Sequence, residues 1–344
     1  MQLEEWFLTN KRAFPWREKP NPYRVWISEV MLQQTRASVV IPYFEKWMQL
    51  FPTVVELGNA SLEQVIKAWE GLGYYSRARN LHAAAQIIIR SYGGEIPSSE
   101  IELATLPGLG PYTIGAILSF GFRKRAVAID GNVTRVVTRL AWIDEEITKS
   151  SAKRKIEVAT ENLLSLDQPS VSMEALIELG ATVCTITPAC ERCPLQEKCI
   201  AHARGMSTVL PIKKEAPKIE KISRGVAIIE VCGSVLLRKN SRTALMGDLW
   251  EFPYFDGIIS SSGLEKKLVQ ILGEAPIYLG RMEIVEHSFT RFSAKLFPHK
   301  FTAKTQTSIE GFLWVSIDAL SKLPFSAGHR RLVKQLYICK MSID

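Results

Sequence analysis

The sequence predicts a multidomain protein: an all-helical first part and a smaller mixed α/β part after it. Three observations carry this. At 344 residues the chain exceeds one ordinary domain. Up to about Ala203 its apolar residues recur at helical spacing between capping residues and glycines. Beyond that, the polar, proline-punctuated stretch PIKKEAPKIEK (Pro211–Lys221) gives way to short β-branched and aromatic runs. The expected organisation is a helical domain over 1–203, a linker over 204–222 and an α/β domain over 223–344.

In chain order, Tyr23–Leu50 is rich in Val, Ile, Met, Leu and Trp at helical spacing, with Pro42 expected to end or kink it. Ser61 with Gln64 forms a capping box, and Gly71 and Gly73 stop the helix that follows. Further helices are predicted over 76–92, 99–105, 112–121, 132–141, 151–165 and 171–182. In the second part, GVAIIEVCGSVLLRK reads as two strands around a Cys-Gly-Ser turn, and RFSAKLFPHKF and GFLWVSI as further strands. Helices are predicted over 263–272 and near 330–337.

A hydrophobic content of 47% with 23% charged residues describes a chain able to bury a core, which excludes a disordered protein. No apolar run is long enough to cross a bilayer, so no membrane partner is expected. The opening residues lack a basic leader before an apolar block, which points to a bacterial-type cytoplasm. The net charge of +8 is concentrated at Arg77 with Arg79, Arg123–Arg125, Arg135 with Arg139, and Lys153–Lys155. Such clusters favour a polyanion by releasing its counterions.

Within LPGLGPYTIGAI (Leu106–Ile117), Gly108 and Gly110 permit a tight corner and close backbone approach ahead of a helix N-terminus. The corner is either a plain helix–helix turn or a seat for a phosphate oxygen. Downstream, Asp130 precedes a predicted helix, where an ordinary N-cap is the simplest role. Glu29 has Val25, Trp26, Leu32 and Gln33 three and four places away, so its face is expected to be partly buried and its carboxyl pKa raised. Pairing with Arg36 is the alternative. Four of the six cysteines, Cys184, Cys190, Cys193 and Cys199, fall within sixteen residues, which indicates a metal site, with structural zinc as one occupant.

The hairpin resembles the helix-hairpin-helix element of DNA repair glycosylases. The single Cys-x-x-Cys with one outlying cysteine on each side resembles the [4Fe-4S] loop of the endonuclease III superfamily. FPWR, SEVMLQQT, GLGYYSRARNL, LPGLGPYT, IDGNVTRV, EALIELGATVC and LWEFP occur in the order seen in MutY-type adenine DNA glycosylases, whose C-terminal domain is Nudix-like. The resemblance covers almost the whole chain.

It implies a monofunctional enzyme of base excision repair, acting as a monomer on duplex DNA with adenine opposite 8-oxoguanine or guanine. Glu29 would protonate adenine and Asp130 would stabilise the sugar cation, supported by Tyr112 and Asn132. Arg17 and Glu174 would line the pocket for the extruded base. Gln34, Thr35, Leu72 and Tyr74 would fill the stack and read the opposite base, and Gly108 and Gly110 would meet phosphate. Endonuclease III-type lyases carry a lysine at the position of Tyr112, and tyrosine cannot form the Schiff base. Phe289-Thr290-Arg291 corresponds to a Phe-Ser/Thr-His motif for lesion selection, with Arg291 in place of histidine. Five residues separate Cys184 from Cys190, one fewer than is usual. SGLEKKLVQILGE lacks the glutamate-rich box that binds magnesium in Nudix hydrolases, so pyrophosphate hydrolysis is not expected.

Overall fold

The computed structural model describes residues 2–214, 219–241, 246–289 and 292–341. Its contacts divide the chain into two units. One is Met1–Ala60 with Asn80–Glu215; the other is Ser61–Arg79 with Ala216–Asp344.

The helical unit opens with α1 (Gln2–Asn10), α2 (Pro15–Glu18), α3 (Pro22–Leu32), α4 (Ala37–Leu50) and α5 (Val54–Asn59). Helix α6 (Leu62–Ala68) lies in the segment that groups with the second unit, and α7 (Ser76–Tyr92) begins there and runs back into the first. Helices α8 (Glu100–Ala104), α9 (Pro111–Ala116), α10 (Gly131–Leu140), α11 (Ser150–Leu163), α12 (Pro169–Thr182) and α13 (Ile200–Ala203) complete the helical unit. The expected helix over 23–50 is two helices, and the break is not at Pro42. It falls at residues 33–36, where Gln34 takes a left-handed φ of 56°. Pro42 stays inside α4 because it and Ser38, whose carbonyl loses its partner, are both on the exposed side.

Two glycines govern how the helices meet. At Gly115 a Cβ would lie 1.9 Å from the Val127 carbonyl oxygen, so α9 packs directly on the backbone of the segment leading to Asp130. At Gly180 a Cβ would lie 2.6 Å from Asn132 Cβ, so α12 crosses the start of α10 at backbone contact. Both bring distant residues to one place.

In the second unit, β1 (Glu220–Val231) and β2 (Ser234–Lys239) form the predicted hairpin, with Cys232 and Gly233 at φ 47° and 72° in its turn. The other strands are β3 (Trp250–Glu251), β4 (Tyr254–Asp256), β5 (Ile277–Arg281), β6 (Val285–Phe289), β7 (Phe292–Thr302) and β8 (Leu313–Ser316). The sheet runs β3-β2-β1-β7-β5, with β4 on β1, β6 on β7 and β8 on β2. Strands β1 and β7 pair in parallel from Glu220↔Phe292 to Ile229↔Phe301. Alternate β1 residues face two cores. Ala227 and Ile229 pack with Leu264 and Leu268 of α14 (Ser261–Leu272), and Val226 and Ile228 with Leu332 and Leu336 of α15 (Ala327–Met341). The stretch without a glutamate-rich box is α14 itself, a packing helix with Leu264, Leu268 and Leu272 buried.

Candidate active site

A cavity of about 810 Å³ opens within the helical unit between α1–α3, the α3–α4 turn, α9, α10 and α12. Glu29, Gln34, Thr35, Tyr112, Asp130, Asn132, Arg17 and Glu174 all line it. Four carboxylates therefore face one another: Glu29, Asp130, Glu174 and Glu178.

Glu29 sits on α3 with an exposure of 8%. Burial pushes its carboxyl pKa up to about 7, helped by the negative charges of Asp130 and Glu174 and opposed by the Tyr112 hydroxyl and Arg17. The Tyr112 hydroxyl donates to Glu29 Oε2 in a short hydrogen bond. Arg36 is instead exposed at the N-terminus of α4. The acid is thus poised near neutrality by burial, not neutralised by a salt bridge.

Asp130 is the N-cap of α10: its Oδ1 accepts the amides of Asn132 and Val133, each at 2.8 Å. Its Oδ2 accepts Asn132 Nδ2 at 2.7 Å. Capping and facing the cavity are therefore one arrangement. Burial raises the Asp130 pKa, while these three donors and Arg135 pull it down. Arg135, one of the clustered basic residues, donates to Asn132 Oδ1 at 2.8 Å, to the Gly180 carbonyl at 2.6 Å and to the Cys184 carbonyl at 2.6 Å. It ties the aspartate's partner to α12.

Arg17 is held on three sides. It donates to the Arg12 carbonyl at 3.0 Å, pairs through Nε with Glu174 at 3.2 Å, and reaches Glu178 at 3.0 Å. Its guanidinium lies over the Phe7 and Phe14 rings, 5.5 and 5.2 Å from their centroids. Burial raises Glu174, with Arg17 and Arg123 opposing. Glu178, fully buried, would be raised by burial too, but the pairing with Arg12 and Arg17 holds it below the usual range. Glu178 and Arg12 had no signal in the sequence, since their partners lie more than a hundred and fifty residues away.

The hairpin has the expected form. Leu106 is buried, Gly108 is left-handed with φ 82° and lies against Asn80, and Gly110 precedes Pro111 at the first turn of α9. Both glycines are exposed. The other basic clusters divide. Lys153 and Arg154 are exposed, whereas Arg139 is buried and donates to the carbonyls of Leu210, Thr185 and Ile186. Arg125 is spent on the end of α11. Part of the apparent polyanion surface is structural.

Cys184, Cys190, Cys193 and Cys199 line one small cavity together with Arg139 and His202. Arg139 lies 3.3 Å from Cys184 Sγ. Among the described residues no group of three or more potential ligands converges tightly enough to hold a single metal ion.

Leu72 and Tyr74 lie in the other unit, on a turn with Gly71, Gly73 and Tyr74 at φ 107°, 70° and 48°. Leu72 is buried and Tyr74 exposed. Phe289 ends β6; Thr290 and Arg291 lie outside the described residues.

Helices packed around a glycine hairpin enclose a pocket faced by carboxylates, with a loop of four cysteines in the same unit. Residues 27–162 match the HhH-GPD superfamily base excision DNA repair protein family, and residues 225–335 match the NUDIX domain. An adenine DNA glycosylase of Buchnera aphidicola subsp. Baizongia pistaciae is 34% identical over 247 residues, covering 71% of this chain and 70% of that protein. The adenine DNA glycosylase of Rattus norvegicus is 39% identical over 240 residues, covering 67% of this chain and 46% of that protein. The match thus spans about half the length of the rat relative. The structure of a thermostable thymine-DNA glycosylase superposes on 59% of this chain and 94% of its own, with 26% identity and a TM-score of 0.54. The chain belongs to the adenine DNA glycosylase family.

Proposed function

We propose that the chain removes adenine from A:8-oxoguanine and A:G mispairs by hydrolysing the N-glycosidic bond, without cleaving the strand. The supporting observation is the pair of carboxylates in one cavity: Glu29, its pKa raised to about 7, and Asp130, held by three N–H donors. Glu29 in its protonated form delivers a proton to N7 of the extruded adenine, so the electrons of the C1′–N9 bond can leave with the base. The ionised Asp130 opposes the positive charge that develops on the sugar, and Asn132 fixes its orientation. Water then attacks C1′, with the Glu29 carboxylate taking its proton. Arg17 and Glu174 offer a donor and an acceptor to the edge of the base.

By the resemblance, Tyr112 stands where the lyases carry their lysine, and a tyrosine has no amine to form a Schiff base. The exposed Gly108–Gly110 hairpin offers backbone N–H groups to a phosphate. Cys184, Cys190, Cys193 and Cys199 would hold a [4Fe-4S] cluster, since all four line one small cavity and four cysteine thiolates are the usual ligand set of such a cluster. When bound, such a cluster cross-links the loop through four thiolates.

A single-turnover assay on a duplex with one adenine opposite 8-oxoguanine, worked up with and without alkali, tests this reading. Strand scission only after alkali is expected. Scission without alkali makes the chain a lyase, and tight binding without base loss makes it a scaffold.

A further inference from the structure

The segment Ser61–Arg79 lies between helices of the helical unit in sequence, yet it groups with the C-terminal unit. Its links are specific. Glu70 Oε1 accepts Arg330 Nε at 2.6 Å and the Phe325 amide at 3.1 Å, and its other oxygen accepts Lys67 at 2.7 Å. Lys67 also donates to the Leu323 carbonyl at 3.1 Å. Arg330 is itself fixed by the carbonyls of Leu320 and Leu323 and by the Phe325 ring, 4.8 Å away. At the other end of the segment, Arg79 donates to the Gly247 carbonyl at 3.1 Å and pairs with Asp248 at 3.3 Å.

Between these anchors stands the turn that carries Leu72 and Tyr74. Trp69, fully buried, donates to the Gly73 carbonyl at 3.0 Å. The buried Arg77 donates to the carbonyls of Leu72 and Gly73 at 3.0 and 3.2 Å, with its guanidinium 5.6 Å from the Tyr74 ring. Tyr74 is left 44% exposed in a left-handed conformation that a non-glycine residue keeps only when its surroundings impose it. A rigidly presented aromatic ring is a stacking surface for a base.

We propose that the Glu70–Arg330 link makes this turn part of the C-terminal reading unit, so that Tyr74 contributes to recognising the opposite base only while the link holds. Glu70 and Arg330 act as positioning residues, and the inference rests on the glycosylase reading above. It predicts that two residues far apart in sequence control one exposed ring.

Amide hydrogen exchange on the full chain tests the link without substrate. In Arg330→Ala the amides of residues 71–75 should exchange faster by about ten-fold, while those of α3 and α10 keep their rates. Unchanged exchange at 71–75 overturns the proposal. Single-turnover adenine release opposite 8-oxoguanine then tests its consequence. Tyr74→Ala should slow the parent by about ten-fold, yet slow Glu70→Ala by less than about two-fold. Effects that simply multiply overturn it. Should Glu70→Ala fold poorly, Glu70→Gln, which keeps the volume, enters the same cycle. If the parent releases no adenine, the glycosylase reading fails, and exchange still decides the link.

Discussion

Replacing Glu29 by Gln should separate the energetic cost of the acid from its use. A carboxyl whose pKa is raised on folding from 4.5 to about 7 favours the protonated form in the native state. Its stabilising contribution is therefore fully present below about pH 4.5 and is lost as pH rises through 7. At about 1.4 kcal/mol for each pH unit between the two values, the full loss is ~3 kcal/mol. Glutamine has the same shape, can accept from Tyr112 and does not titrate. Glu29→Gln should thus match the parent at pH 4.5 and exceed it by ~3 kcal/mol at pH 8. It should also lose at least about a hundred-fold in adenine release. Urea unfolding followed by tryptophan fluorescence at several pH values measures the first effect, and single-turnover release the second. A stability difference that stays flat from pH 5 to 8 would refute the argument that burial sets this acid.

Adenine release should fall above pH 7, as Glu29 ionises, and again at acid pH, as Asp130 is protonated; Asp130→Asn should remove activity while leaving duplex binding intact, measurable by gel shift. Gly180→Val puts a side chain into Asn132, so it should cost ~1–3 kcal/mol and slow base release, read by thermal melting and single-turnover kinetics. Tyr112→Lys supplies the missing amine, and borohydride should then trap a covalent adduct with DNA that the parent does not form. Cys193→Ser should lower bound iron and inorganic sulfide and bleach visible absorbance in the purified protein, and an unchanged zinc content with no iron in the parent would rule out the cluster.

Features built from neighbours in sequence were legible. The capping box at Ser61 and Gln64, the Cys232–Gly233 hairpin turn and the Gly108 corner depend on φ preferences and hydrogen bonds within a few residues. Glu29's burial followed from the apolar residues one turn away on α3. The break at Gln34 was missed because a proline signals helix termination more loudly than a left-handed polar residue does. The basic clusters misled in part, since a run of arginines does not reveal whether its carbonyl partners come from solvent-facing or buried segments.

A helical part followed by a mixed α/β part, the burial of Glu29, the Asp130 cap and the crowding of four cysteines are all written in residue type and short-range spacing. Only the tertiary structure decided the electrostatics of the cavity. The pKa near 7 at Glu29 comes first from burial between separate helices, is pushed further up by Asp130 and Glu174, and is held down by the Tyr112 hydroxyl and Arg17. It likewise decided that Glu178 and Arg12 brace Arg17, and that Ser61–Arg79 groups with the C-terminal unit. Those pairings form across long loops, where the energy lies in contacts that no local pattern encodes.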